Sequence, residues 1–249
     1  MAKPVLLIAT LDTKADELAF VRDIIIERGH QTLVLDAGIM RDPSSPPDIG
    51  AKQVATAGGV ELEELRKQGD RGFALAVMAR GGGAVAIRLH KEGKVGAILG
   101  IGGSCGTAIA TAAMREMPVG LPKLMVSTMA SGQVAPYVGV KDIAMMYAVV
   151  DIAGLNRISR RILSNAAGAI CGMLEQPDPP QTDDRPVIAA TMFGVTTPCV
   201  EHVRKRLDDA GFEVLVSHAT GSGGRAMEGL INAGFIAGVA DVTTTELAD

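Results

Sequence analysis

Val5–Ala9 is apolar at every position. A strand without a polar face needs cover on both sides, which is the situation of a strand inside a parallel sheet packed between helices. After this run, Thr13 with Asp16 and Glu17 marks a helix start. Leu18, Val21, Ile24, Ile25 and Arg28 then fall on one helical face, and Gly29 ends it. Thr32–Asp36 reads as the next strand. Strand, helix and strand in this order form a β-α-β unit with a right-handed crossover, so the fold class is α/β with a parallel sheet.

The pattern continues along the chain. Asp42–Asp48, with three prolines and two serines, is a surface loop. Ala51–Ala57 and Glu61–Gln68 read as short helices. Arg71–Glu92 has helical spacing, yet Gly81-Gly82-Gly83 sits in its middle. Each glycine costs about 1 kcal/mol against alanine in a helix. One long helix held by packing is the preferred reading. Val95–Leu99 is again a buried strand, followed by a glycine loop, Gly100–Gly106, and a helix, Thr107–Met117. Lys123–Ser127 and Asp142–Tyr147 are further strands, and Asn156 caps a helix over Arg157–Glu175.

Gln176–Arg185 holds three prolines, three aspartates and no apolar anchor, the composition of a linker. Beyond it the opening pattern returns: Pro186–Thr191 echoes Pro4–Thr10, and Val203–Ala210, Gly211 and Val214–Ser217 echo the first helix, Gly29 and the second strand. Ala226–Asn232 and Phe235–Val239 extend this to β-α-β-α-β. The domain reading is a first Rossmann-like three-layer subdomain over 1–175, a linker over 176–185 and the start of a second over 186–249. Three strands and two helices bury little surface for a finished domain. The second subdomain is therefore expected to be truncated, and to be less protected from protease than the first.

Composition excludes several classes. A formal net charge of −4 does not suit a general nucleic-acid surface. Cys105, Cys171 and Cys199 are too far apart in sequence for a C-x-x-C pair, so neither a disulfide framework nor a zinc site is indicated. No uninterrupted apolar run of about 18 residues occurs, and the N-terminus does not resemble a signal peptide. A cytoplasmic protein with no membrane association is the expectation.

In an open parallel sheet, ligands bind beyond the carboxyl ends of the strands. The loops predicted there are Thr10–Lys14, Gly100–Thr107, Thr128–Gly132, Thr191–Thr197 and His218–Arg225. Four glycines in the seven residues Gly100–Gly106 allow close approach of a ligand to the backbone. A helix starting there aims free N–H groups and the positive end of its dipole at one point, a setting for phosphate or carboxylate. Ser104 and Thr107 add hydroxyls. The same glycines also suit a tight turn with small residues for packing. Asp12 can hold a ribose hydroxyl or a magnesium-bound water, or simply complement the helix N-terminus. Lys14, Arg80, Lys123, Lys141 and Arg225 are candidate phosphate partners or solvated surface charges. His30, His90 and His202 read as solvated, while His218 stands beside the last glycine loop. Cys105 is a small residue filling the loop or a nucleophile without an evident base. The P-loop, the dinucleotide fingerprint G-x-G-x-x-G and the G-x-S-x-G elbow are all absent.

Four stretches carry a resemblance. They are Leu-Gly-Ile-Gly-Gly-Ser-Cys-Gly-Thr from Leu99, Pro-Lys-Leu-Met-Val-Ser-Thr-Met-Ala-Ser-Gly from Pro122, Val-Val-Asp-Ile-Ala-Gly-Leu-Asn-Arg-Ile-Ser-Arg-Arg-Ile-Leu from Val149, and His-Ala-Thr-Gly-Ser-Gly-Gly-Arg-Ala-Met-Glu from His218. In this order they resemble the ATP-binding N-terminal region of the tomato mosaic virus resistance protein and its uncharacterised bacterial relatives. The resemblance implies two Rossmann-like subdomains, ATP with magnesium at the glycine loops, and a homodimer. Motif by motif it implies nucleotide contacts at Gly102, Gly103, Ser104, Gly106 and Thr107, at Thr128 and Ser131, and at Gly221, Gly223, Gly224 and Arg225. To these the loop after the first strand adds Asp12, Thr13 and Lys14. Two further readings stay open: a hydrolase or transferase acting on a phosphorylated metabolite, and an interaction module stabilised by nucleotide.

Overall fold

The structure, a computed structural model, describes residues 3–177 and 184–244. Most of the linker expected over Gln176–Arg185 lies outside the described residues. The chain divides into two compact units, Met1–Pro177 and Asp178–Asp249.

In the first unit, β1 (Val5–Ala9), β2 (Thr32–Asp36), β3 (Ala97–Gly102), β4 (Lys123–Ser127) and β5 (Ala144–Tyr147) form one parallel sheet in the order β2-β1-β3-β4-β5. Alternate side chains of β1 enter two cores. Leu6 and Ile8 pack against α2 (Ala51–Ala57), α3 (Leu62–Gln68), α4 (Arg71–Lys91) and α5 (Ser104–Arg115). Val5, Leu7 and Ala9 pack against α1 (Leu11–Glu27) and α7 (Arg157–Glu175). This is the three-layer arrangement that the apolar run requires. A short helix, α6 (Ala135–Val138), which no sequence signal marked, follows β4.

The glycine triplet lies within one unbroken helix, and packing explains it. A methyl group at Gly81 would collide with the Val54 carbonyl of α2, and one at Gly83 would come within 3.1 Å of the Glu116 side chain after α5. The glycines bring α4 against both neighbours. This 21-residue helix is long and apolar enough to cross a membrane, but half of it is buried inside the unit.

Helix boundaries moved where caps come from afar. α1 begins at Leu11, not Thr13, because Asp36 at the end of β2 accepts the Leu11 N–H at 2.9 Å. Lys14 leaves helical geometry (φ −129°, ψ 22°). The cap of α7 is local: Asn156 Oδ1 accepts the N–H groups of Ile158 and Ser159, both at 2.9 Å, and Ser159 Oγ accepts the Asn156 N–H.

The second unit holds β6 (Val187–Met192), α8 (Thr197–Asp209), β7 (Glu213–His218), α9 (Ser222–Asn232) and β8 (Gly238–Ala240), with a 3-10 turn at Gly194–Thr196. Its three strands are parallel in the order β7-β6-β8. Cover is thin: Val200 is the buried residue of α8 and Met227 that of α9.

Candidate functional site

The order β2-β1-β3 means that the chain leaves β1 in one direction and later returns to its other side. The loops after β1 and β3 therefore diverge, and the gap between them is where doubly wound sheets take ligands. A cleft of about 730 Å³ opens at this position. Thr10, Asp12 and Thr13 line it from the β1 end, Ala37–Met40 from the β2 end, and Cys105 and Ile109 from α5. Leu65 and Arg66 come from α3, Asp70 from the α3–α4 connection, and Arg71, Ala74, Leu75 and Met78 from α4. The lining thus combines apolar side chains with polar ones. The volume falls in the range of about 300–1,000 Å³ typical of small-ligand sites.

Two helices begin at the cleft. In α5 the first intrahelical bond runs from Thr107 N–H to the Gly103 carbonyl at 2.8 Å, which leaves the N–H groups of Ser104, Cys105 and Gly106 without a helical partner. In α4, Asp70 Oδ1 accepts the Phe73 N–H at 2.9 Å, and Arg71 follows. Arg71 Nη2 donates to Cys105 Sγ at 3.3 Å, joining the two helix starts, and this contact raises the guanidinium above its usual pKa.

The remaining charges are engaged. Arg66 donates to the Ile39 carbonyl (2.7 Å), Asp42 (2.7 Å) and Glu63 (3.0 Å). The Asp42 hydrogen bond leads the causes that raise its pKa. Asp12 is buried, and its Oδ2 accepts the Met40 N–H at 3.0 Å. A methyl group at Gly38 would meet that carboxylate at 2.7–2.9 Å, so Gly38 and Asp12 need each other's shape. Just beneath, Asp36 Oδ1 accepts the N–H groups of Leu11 and Gly38; burial raises its pKa more than these bonds lower it. A smaller recess of about 410 Å³, on the other side of Asp12 and Thr13, is lined by Asp16, Glu17, Arg41 and Asp42. Among the described residues no group of three or more His, Cys, Asp or Glu side chains is placed to hold a metal.

The sequence-predicted residues divide sharply. Asp12 and Thr13 line the cleft, while Lys14 is turned aside by the kink and does not. The expected loop Gly100–Gly106 shrinks to the turn at Gly103. Gly100 and Gly102 belong to β3, and Ser104, Gly106 and Thr107 to the first turn of α5. A methyl at Gly100 would meet Ala110 Cβ at 2.7 Å, and one at Gly102 would meet Gly106 Cα at 2.8 Å. These glycines let helix and strand approach, the packing role that the sequence left open beside the phosphate cradle. The Thr107 hydroxyl is buried and bonds Ser127 Oγ at 2.6 Å. Gly103 and Ser104 remain open at the turn. Thr128 sits beside Gly103 and Ser131 is exposed; neither lines the cleft.

Three candidate phosphate cations are structural. Lys123 is fully buried at the start of β4, the end of the sheet opposite the cleft. Its Nζ meets the Pro118 and Leu121 carbonyls and Asp142, at 2.7–2.9 Å, and burial lowers its pKa. Arg80 bonds the Gly58 carbonyl and Lys141 the Met117 carbonyl. His30 is not solvated: it pairs with Glu175 at 2.8 Å with its side chain 10% exposed. His90 is half-buried, its Nδ1 without a partner among the described residues. In the second unit, Gly221 has φ 89° before α9, a methyl at Gly223 would collide with the His218 carbonyl, and Arg225 Nε donates to the Gly221 carbonyl at 3.0 Å. Gly224 lies in the same first turn.

Arg71, Arg66, Asp70 and the apolar lining were not predicted. Asp70 before a helical run was a readable cap signal. Nothing in the sequence says that this helix start faces Cys105, 34 residues on.

Comparison with known proteins places the chain. Residues 3–179 match the N-terminal domain of the uncharacterised protein family UPF0261, and residues 185–249 match its C-terminal domain. The chain belongs to the UPF0261 family. It is 51% identical over 249 residues to a UPF0261 protein of Clostridium tetani, covering 100% of this chain and 62% of that protein. A Mesorhizobium japonicum relative is 47% identical over 247 residues, covering 99% and 61%. The ToMV resistance protein Tm-1 of Solanum lycopersicum is 38% identical over 262 residues, covering 97% of this chain and 35% of the tomato protein. The chain thus spans about three fifths of the length of its bacterial UPF0261 relatives.

Proposed function

We propose that the first unit binds a nucleotide, with ATP the first ligand to try, in the cleft between the ends of β1 and β3. One observation carries this reading: at the switch point of a parallel sheet, one cleft is lined by apolar side chains, the starts of two helices and a guanidinium. The base lies against Leu65, Ala74, Leu75, Met78 and Ile109. The phosphates lie toward Arg71, Thr13 and the N–H groups of Ser104 and Cys105. The four motifs whose resemblance implies ATP support the same choice, without carrying the antiviral role here.

The residues fit ATP by volume and donor chemistry. They form no preformed metal cage, so magnesium enters as the counter-ion of the phosphates, a common mode for this ion. Its contribution is to neutralise phosphate charge; the chain's own residues orient the nucleotide. Thermal melting of the 249-residue chain with and without ATP and magnesium tests the reading. A ligand at 100 times its Kd adds about 2.7 kcal/mol to stability. Absence of any shift at millimolar nucleotide overturns it.

A further inference from the structure

Building on the nucleotide reading, we infer that Arg71 is the residue by which the cleft selects a ligand with an anionic group. The charges of the lining carry the inference. Four charged side chains line the cleft: Arg66, Arg71, Asp12 and Asp70. Three of them are committed to the fold. Arg66 holds Ile39, Asp42 and Glu63; Asp12 holds the Met40 N–H; Asp70 caps α4. Arg71 is different. Among the described residues its guanidinium meets Cys105 Sγ alone. A thiol is a weak acceptor, whereas phosphate and carboxylate take two parallel N–H bonds from a guanidinium. An anion arriving beside Cys105 therefore wins Arg71 from the sulfur and receives the open N–H groups of α5 as well.

The same count limits what the site accepts. Two arginines and two carboxylates sum to no net charge. Arg71 answers one anionic group of the ligand; a second and third find no uncommitted cation, so a polyphosphate has to bring its own. The cleft thus distinguishes a phosphorylated ligand from its neutral counterpart, and gains from further phosphates only with a divalent cation present.

Calorimetric titration of adenosine, AMP and ATP, with and without magnesium, into the 249-residue chain and its Arg71→Gln and Arg71→Lys variants tests this. Iodoacetamide labelling of Cys105, read by mass spectrometry with exposed Cys199 as internal reference, gives a second readout. AMP is expected to bind the unaltered chain roughly tenfold or more tighter than adenosine. Arg71→Gln removes that difference and Arg71→Lys keeps part of it. Magnesium-free ATP binds no tighter than AMP, and AMP slows labelling of Cys105 but not Cys199. Arg71 is exposed and caps nothing, so melting temperatures of the free variants stay unchanged. A difference between AMP and adenosine that persists in Arg71→Gln, or that is missing from the unaltered chain, overturns the inference. If no adenine compound binds, the nucleotide reading falls, and inorganic phosphate decides the role of Arg71. Slower Cys105 labelling with phosphate in the unaltered chain but not in Arg71→Gln upholds it; equal rates overturn it.

Discussion

The two units open with the same local pattern and end differently at the place where a ligand would sit. In the first, the switch point between β1 and β3 opens into the cleft that Thr10, Asp12, Cys105 and Ile109 line. In the second, the switch point between β6 and β8 is stitched shut. Thr191 Oγ1 donates to Asp241 at 2.7 Å and accepts the Thr243 N–H at 2.9 Å, while Thr243 Oγ1 meets Thr196 Oγ1 at 2.6 Å. A strand-turn-helix start does not by itself make a site. The chain that follows the neighbouring strand decides whether the gap is held open or filled.

Burial separates the units in the same way. Every residue of β1 is buried, whereas Leu215 on β7 and Val239 on β8 are exposed. Mid-helix glycines turn this into the sharpest test. Gly81→Ala should gain about 1 kcal/mol from helix propensity and lose more from collision with the Val54 carbonyl of α2, for a net loss of about 3 kcal/mol or more. Gly229→Ala, in α9 with nothing near the added methyl, should instead stabilise the second unit by up to about 1 kcal/mol. Hydrogen exchange resolved by unit reads both. Equal and small effects would break the contrast in packing.

The next largest effect belongs to the open turn. Gly103 keeps a negative φ of −80°, outside the left-handed region that favours glycine, and a methyl there meets Thr128 Oγ1 no closer than 3.7 Å. Gly103→Val should therefore fold as before and lose the ATP-dependent gain of about 2.7 kcal/mol, by blocking ligand approach to the α5 N–H groups. An intact ATP shift would move the anion site away from this turn. In the second unit, Thr191→Val removes an acceptor from the buried Thr243 N–H and a donor from Asp241. A loss of about 2 kcal/mol is expected, confined to that unit. A variant as stable as the parent would mean that the hydroxyl network is not what closes the second switch point.

Much of this fold was legible because it is written locally. β1 follows from an apolar run of five, β2 and β4 from the shorter runs Leu33–Leu35 and Leu124–Val126, and α7 from Asn156 and its stripe. Errors cluster where a distant residue intervenes. α1 starts early because Asp36 supplies its cap from β2, and β3 extends through Gly102 because β4 continues to pair with it there. The glycines of that stretch were visible, but glycine is silent on whether it admits a ligand or a neighbouring helix; the approach of Ala110 to Gly100 and of Gly106 to Gly102 appears only in the fold. The site suffered most, since Arg71 reaches Cys105 only through the fold, and Lys123, a plausible phosphate cation by type, points into the opposite end of the sheet.

The smallest effect comes from the residue facing the end of β1. Ala9 pairs with Asp36, where the second unit pairs Thr191 with Ser217, so only the first unit carries a buried carboxyl at this position. Burial raises the Asp36 pKa above that of the unfolded chain, outweighing the two N–H groups that favour its ionised form. Between the two pKa values the folded chain holds a proton that the unfolded chain has released. Stability therefore falls as pH rises through that window, and the loss persists at neutral pH. Asp36→Asn keeps an oxygen for Leu11 and Gly38 but carries no charge. It should be more stable than the parent at pH 7, by less than any effect above, and the difference should vanish as acidification protonates Asp36. Melting curves of both forms from pH 7 down to pH 4 check this. A variant less stable than the parent at every pH would show that the N–H groups of Leu11 and Gly38 need the charge, making Asp36 a cap for α1 rather than a cost to the unit.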